Sequence, residues 1–176
     1  DEAFRLRFGL PTLYQARGSL ALDTGDFSFA VQCFDIAIEK TQAAKKAAAD
    51  VPREDLVDEV VAYNGLGNAY SYMNDYDRAI AAFERGVEYA LATNSSSSNY
   101  VSLLVNFGST LRSASKPQDA RMHLKRGLEY LQSLGEVPSP ALLNNLGLVE
   151  QDLGSLDAAE RYMEEAIEVN QRVLDG

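Results

Sequence analysis

An all-α fold, a right-handed superhelical solenoid of four helix–turn–helix hairpins, is what this 176-residue sequence predicts, and three observations predict it. One frame recurs four times: a Gly, an Ala twelve residues later, a bulky apolar residue four beyond, and a small residue three further on. The frames are Gly18/Ala30/Phe34/Ala37, Gly67/Ala79/Phe83/Gly86, Gly108/Ala120/Leu124/Gly127 and Gly147/Ala159/Met163/Ala166. The spacing inside each frame is fixed, whereas the distance from one Gly to the next drifts through 49, 41 and 39 residues. Rigid units with elastic joints are the mark of a repeat array. Finally, the apolar residues of each frame fall at helical spacing, with turn-forming residues between two such runs.

The elements follow in order. Residues 1–10 read as the lead-in of another helix. The first hairpin turns at Thr24-Gly25-Asp26, where Gly suits a left-handed helix end. Its second helix extends through the Ala- and Lys-rich stretch Glu39–Asp50 until Val51-Pro52 stops it. In the second hairpin Tyr63, Leu66, Gly67 and Tyr70 share one face, Asn74-Asp75 breaks the helix, and Asp75 caps the next one. That helix brings Tyr76, Ala79, Ile80, Phe83 and Val87 to one side. The run Asn94-Ser95-Ser96-Ser97-Ser98-Asn99 reads as a low-complexity polar loop and as the most mobile segment. The third hairpin turns at Ala114-Ser115-Lys116-Pro117, with Pro fitting the first turn of a helix. Gly135-Glu136-Val137-Pro138-Ser139-Pro140 is a stiff joint, and the fourth hairpin turns at Gly154-Ser155. The predicted organisation is a single domain over 1–176, with repeats at about 12–50, 54–93, 99–134 and 139–174.

The recurring glycines need a packing reason, because Gly in a helix interior costs about 1 kcal/mol relative to Ala. Close approach of the partner helix at the Ala twelve residues on supplies one, with the large residue four further filling the gap to the next hairpin. On that account Gly67→Leu destabilises the array.

Composition excludes several function classes. The chain is 46% hydrophobic and 24% charged, as globular proteins are. Its longest apolar stretches fall short of a bilayer span, so no direct membrane insertion is expected. A net charge of −10 disfavours nucleic acid as a partner. The single Cys33 excludes an internal disulfide framework. The chain begins at Asp1 rather than Met, as a processed form or an excised piece does, and a soluble protein of cytoplasm or organelle is expected. Charge is unevenly spread. Residues 112–126 carry Arg112, Lys116, Arg121, Lys125 and Arg126 against Asp119, a net +4, whereas residues 150–176 carry eight acids against Arg161 and Arg172, a net −6. The pattern reads as a solvated face or as a polar partner lying across that boundary.

These residues resemble the tetratricopeptide repeat. A large residue precedes each Gly by four (Tyr14, Tyr63, Leu104, Leu143), and Leu66, Phe107 and Leu146 precede it directly. The turn Gly-Asp-aromatic stands at Gly25-Asp26-Phe27 and nearly so at Asn74-Asp75-Tyr76. Departures are Arg17 before the first Gly and Pro117 in place of the turn aromatic. Spacings near 40 look like the longer variant of kinesin light chains and Leu-Gly-Asn adaptors. Ala62-Tyr63-Asn64-Gly65-Leu66-Gly67-Asn68-Ala69-Tyr70 and Leu142-Leu143-Asn144-Asn145-Leu146-Gly147 are similar to those families.

The resemblance implies a concave groove lined by the first helix of each hairpin, where the family binds partner segments. The groove candidates are Asn64 and Asn68, Asn106, and Asn144 and Asn145, a ladder of amides that matches peptide bonds in both donor and acceptor. Tyr72, Arg112 and Gln151 lie one turn further along to read partner side chains. A two-carboxylate clamp for chaperone tails is disfavoured, since Gln15, Ser19 and Asn64 stand where basic residues are needed. No catalytic residue, metal site or cofactor is expected. His123 and Cys33 fall in second helices at positions read as surface or half-buried, and no Cys/His cluster offers a zinc site. Gly65-Leu66-Gly67 lies inside a helix with no strand before it and is no phosphate loop. Glu164-Glu165 are neighbours in sequence, not a convergent pair, and the Asn94-Ser95-Ser96 sequon matters only in a secretory compartment. The function expected is a non-enzymatic interaction scaffold or adaptor for a protein or peptide segment. The alternative is a structural subunit docked on a larger multiprotein complex through convex or terminal surfaces, with Tyr162, Ile167 and Leu174 as its seat.

Overall fold

The computed structural model describes residues 11–47, 58–93 and 95–175, and these form eight helices and no strand. They are α1 (Pro11–Thr24), α2 (Phe27–Ala47), α3 (Glu59–Tyr72), α4 (Tyr76–Thr93), α5 (Ser97–Ser113), α6 (Pro117–Leu134), α7 (Pro140–Asp152) and α8 (Leu156–Asp175). The expected lead-in at 1–10 and the helix stop at Val51-Pro52 lie outside the described residues. The fold is an all-α helical repeat, as the frames predict.

Two compact units divide the chain, Asp1–Ser95 and Ser96–Gly176. In the first, α1 pairs with α2 and α3 with α4, and α2 packs on α3. In the second, α5 pairs with α6 and α7 with α8, and α6 packs on α7. Each unit is thus two hairpins stacked through the second helix of one and the first helix of the next.

One turn closes all four hairpins. Seven residues after each frame Gly the backbone enters the left-handed region, at Gly25 (φ 80°), Asn74 (φ 59°), Ser115 (φ 58°) and Gly154 (φ 77°). The next amide reaches back five residues: Asp26 N–H to Ala21 (2.9 Å), Asp75 to Tyr70 (2.9 Å), Lys116 to Leu111 (2.8 Å) and Ser155 to Glu150 (2.8 Å). Asp26 and Asp75 then accept from the Phe29 and Arg78 amides, capping α2 and α4. Pro117 opens α6 at its first helical position.

The serine run differs from the expected loop. Ser96 caps α5 by accepting from the Asn99 amide, and Ser97, Ser98 and Asn99 are its first turn. The reason is that a Ser at the cap position satisfies an otherwise unpaired amide. Ser97 Oγ also donates to Glu136 at 3.0 Å.

The glycines are explained by a different neighbour from the one expected. A Cβ at Gly67 would lie 2.6 Å from the Phe83 ring, one at Gly108 2.5 Å from Leu124, and one at Gly18 3.0 Å from Phe34. Each frame's large residue therefore lies over its own Gly, because a flat or branched side chain needs the full depth that a missing Cβ leaves. At Gly147 both Met163 (2.9 Å) and the Ala159 carbonyl (3.2 Å) press close. Phe34 also reaches the next hairpin, where a Cβ at Gly65 would stand 2.3 Å from it. Around it Ala30, Ala37, Ile38, Ala62, Leu66, Ala69 and Ala82 form the core of the first unit. Cys33 is buried rather than at the surface (2% exposed), and burial pushes its thiol pKa up. His123 is half-buried, its ring 4.3 Å from that of Phe107.

Candidate functional site: the first-helix faces

Charge is sorted by helix. The first helices α1, α3, α5 and α7 carry six charged residues, whereas the second helices α2, α4, α6 and α8 carry twenty-three. On α3, α5 and α7 the only charges are Glu59, Arg112, Glu150 and Asp152, and every one is ion-paired inside its own unit. What these faces offer outward is amide, hydroxyl and aromatic chemistry.

In the first unit Asn64, Asn68 and Tyr72 recur every fourth residue along α3 and share one stripe. The two asparagines are half-buried and Tyr72 is exposed. Tyr72 stacks on Phe27 of α2 at 5.0 Å, which fixes its ring in place. Glu59, at the start of α3, is buried against α2, where it pairs with Lys45 and accepts from Gln42 Nε2 at 3.2 Å. Lys45 in turn lies over the Tyr89 ring, 4.9 Å from its centroid.

In the second unit Asn106 is half-buried on α5, and Asn144 and Gln151 are exposed two turns apart on α7. Asn145 commits its Nδ2 donor to the Ala141 carbonyl of its own helix at 2.9 Å, so it is a weaker rung than Asn144. Asn64 and Asn106 make interactions of their own within the chain. Arg112 is tied by Nε to Asp152 at 2.6 Å, a charged link from α5 to α7. Below it Glu150 is buried (3% exposed), with Arg121 and Lys125 of α6 each 3.6 Å from its oxygens. The basic third repeat and the acidic fourth therefore meet in intramolecular pairs through Glu150 and Asp152, two of the eight acids of residues 150–176. The partners that sequence reasoning missed, Glu59 and Glu150, carried a signal: Glu59 is the lone charge of α3, and Glu150 shares α7 with Asp152 only.

Among the described residues no group of three or more His, Cys, Asp or Glu is placed to hold a metal ion, and no helix is long and apolar enough to cross a membrane. Ile167 of α8 is exposed as expected, whereas Tyr162 packs against the core around Leu143, Ala166 and Val169. The side chain of Leu174 lies outside the described residues.

A fold of stacked helical hairpins with a repeated turn defines the class as a helical-repeat protein. Residues 60–90 and 141–175 match models of the tetratricopeptide repeat, so the α3–α4 and α7–α8 hairpins are repeats of that kind. Among curated proteins none matches the sequence. Among solved structures the chain is similar to BtubC (BKLC) from P. vanneervenii, with 21% identity and a TM-score of 0.73 over 97% of this chain and 69% of that one. It is also similar to MamA (15%, TM-score 0.68, 94% and 81%). A third likeness is to the kinesin light chain-type TPR-like repeats of Podosopora anserina (14%, TM-score 0.66, 94% and 77%). At such identities these likenesses speak for the fold. Repeats of this family serve protein–protein interaction, and the chain is an interaction scaffold in that general sense.

Proposed function

We propose that the chain is a non-catalytic adaptor whose first-helix faces hold an extended, largely uncharged segment of a partner protein. The observation that carries this reading is the sorting of charge: a chain of net charge −10 keeps the outward faces of α3, α5 and α7 free of unpaired charge. Amides there offer a donor and an acceptor together, the pairing that a peptide backbone presents. Asn68 and Tyr72 grip in the first unit; Asn144 and Gln151 do so in the second, with Asn64, Asn106 and Asn145 supporting and the Arg112–Asp152 pair bordering the face. A partner without charge avoids the desolvation cost that an ion would meet on a face with no free counter-charge.

Selection from a random-peptide display library tests this. Enriched peptides poor in charged residues, whose binding falls at least tenfold when Asn68→Ala and Asn144→Ala are combined, are the expected result; the loss of two hydrogen bonds at about 1 kcal/mol each is of that size. Peptides rich in Asp or Glu, or binding indifferent to both substitutions, would overturn it.

A further inference from the structure

The frames supply a register that locates what each hairpin normally presents to the next. Inside the first unit Ala62, Leu66 and Ala69 of α3 are buried among Phe34, Ala37 and Ile38 of α2. Their counterparts in the second unit, Leu142, Leu146 and Val149 of α7, are fully buried as well. The same three positions on α1 are Leu13, Arg17 and Leu20, and all three are exposed, the leucines by 52% and 62%. On the other side, Ile38 and Thr41 of α2 are buried, and at the matching positions of α6 Leu131 is buried and Leu128 half-buried. The matching residues of α8 are Ile167, 57% exposed, and the exposed Asn170. So α1 carries an uncovered front face and α8 an uncovered back face, each of the kind that its neighbours bury.

Both faces expose aliphatic side chains, Leu13 and Leu20 on α1 and Leu156 and Ile167 on α8, and they carry opposite charges in Arg17 and Glu164. We infer that this chain associates head to tail, with the α8 face of one copy seated on the α1 face of the next. Three contacts within the units set the register. Phe27 of α2 stacks on Tyr72 near the end of α3; Lys125 of α6 reaches Glu150 of α7; and Gly127 of α6 lies against Leu142, where a Cβ would be 3.6 Å away. Counted in the frame, Leu156, 65% exposed, stands where Phe27 does, Glu164 where Lys125 does, and Ile167 one residue beyond the position of Gly127.

Transferring that register to two copies places Leu156 at the end of α1. There Leu20, Ala21, Thr24 and Phe29, with Arg17 and Asp26 at its charged side, line an open cleft of ≈ 320 Å³, room for an aliphatic side chain. Glu164 falls opposite Ala21, one helical turn from Arg17, whose guanidinium lies over the Phe29 ring at 5.0 Å and faces no carboxylate within ion-pairing reach among the described residues. Ile167 comes to Leu13. The charge at this joint is reversed relative to the second unit, where the second helix supplies the cation and the first helix the acid; here Glu164 is on the second helix and Arg17 on the first. A contact between two different faces of the same chain is heterologous and continues beyond a dimer unless it closes into a ring.

Sedimentation velocity and light scattering of the full chain over a wide concentration range test the inference. The expected mass climbs from 19.3 kDa through successive multiples of it. Ile167→Lys and Leu13→Lys each hold the chain at the monomer mass, and both positions are exposed enough that circular dichroism and melting stay at wild-type values. The decisive sample is an equimolar mixture of the two variants. Each retains the face that the other lacks, so the mixture forms a one-to-one dimer and stops there. A wild-type chain that stays monomeric throughout overturns the inference and leaves the two faces to other proteins. A single variant that still dimerises by itself also overturns it, since that is the behaviour of a two-fold contact between like faces.

Discussion

Phe83 over Gly67 shows how little tolerance a repeat of this kind leaves at a single residue. The ring occupies the space of a Cβ at 2.6 Å, so Gly67→Ala forces ring or helix to shift. Gly67→Ala is expected to cost about 1–3 kcal/mol, the usual range for overpacking. Gly127 is the control: a Cβ there meets Leu104 and Leu142 at an ordinary 3.6 Å, so Gly127→Ala is expected to gain up to about 1 kcal/mol of helix propensity. Denaturant melts of the two variants check this, and equal effects would refute the account. His123 adds a pH dependence. Its imidazole pKa is lowered from 6.5, first by burial and then by Arg126, against a smaller opposing pull from Asp119, and its Nδ1 is buried without a hydrogen-bond partner. A His whose folded pKa is depressed contributes stability above its unfolded pKa and loses it as pH falls through 6.5 toward the folded value. The melting temperature of the wild-type chain should therefore fall below that of His123→Phe as pH goes from 7 to 5. A constant difference across that range would exclude His123 as the sensor.

The elements repeat a single solution with varying residues. The hairpin turn is made by Gly25, Asn74, Ser115 and Gly154, so the backbone conformation is common while the side chain is not. All four turns were readable from their turn-forming residues, Ala114-Ser115-Lys116-Pro117 among them; that Asn74 and Ser115 take the same left-handed conformation as the two glycines was not. Each unit also buries one acid between a second helix and the following first helix, Glu59 on Lys45 and Glu150 on Arg121 and Lys125. Removing the cations from a buried carboxylate costs more than the pair itself gains. The substitutions Arg112→Glu and Lys125→Glu, which a steering surface would answer with slower association, are thus expected to act on stability. Together they place like charges beside Asp152 and Glu150, and should lower the melting temperature of the chain by several degrees, a loss on the order of 2 kcal/mol. Unchanged melting with slower binding would restore the reading of a polar partner lying across the charge boundary.

Over the whole molecule, twenty-three of the twenty-nine charges on the helices sit on second helices. That distribution places the high net charge away from the faces proposed to bind. Affinity for a selected peptide should accordingly change less than about threefold between low and high salt, because screening acts only on charges that the interface uses. A loss of tenfold or more would point instead to an ionic contact such as Arg112 released from Asp152. The same distribution leaves Arg17 exposed on α1 and Glu164 exposed on α8, so self-association, unlike peptide binding, is expected to weaken in salt.

The sequence by itself determined the repeat and the helix pairs, because the Gly-to-Ala-to-bulky frame is a local pattern that holds whatever surrounds it. It also marked Asn64, Asn68, Asn144 and Gln151 as residues of first helices, since helical spacing alone sets the stripe. Only the tertiary structure decided which partner each residue has. That the large residue covers its own Gly depends on three-dimensional neighbours, whereas the Ser96 cap before Ser97 and Ser98 and the bond from Asn145 to Ala141 are local contacts, three and four residues apart. Above all, residues 112–126 and 150–176 read as opposite blocks of charge along the chain, yet their charges meet as Arg112–Asp152 and Glu150–Arg121/Lys125. Ion pairs are set by distance through space, and two residues forty positions apart come within it only once hairpins have stacked.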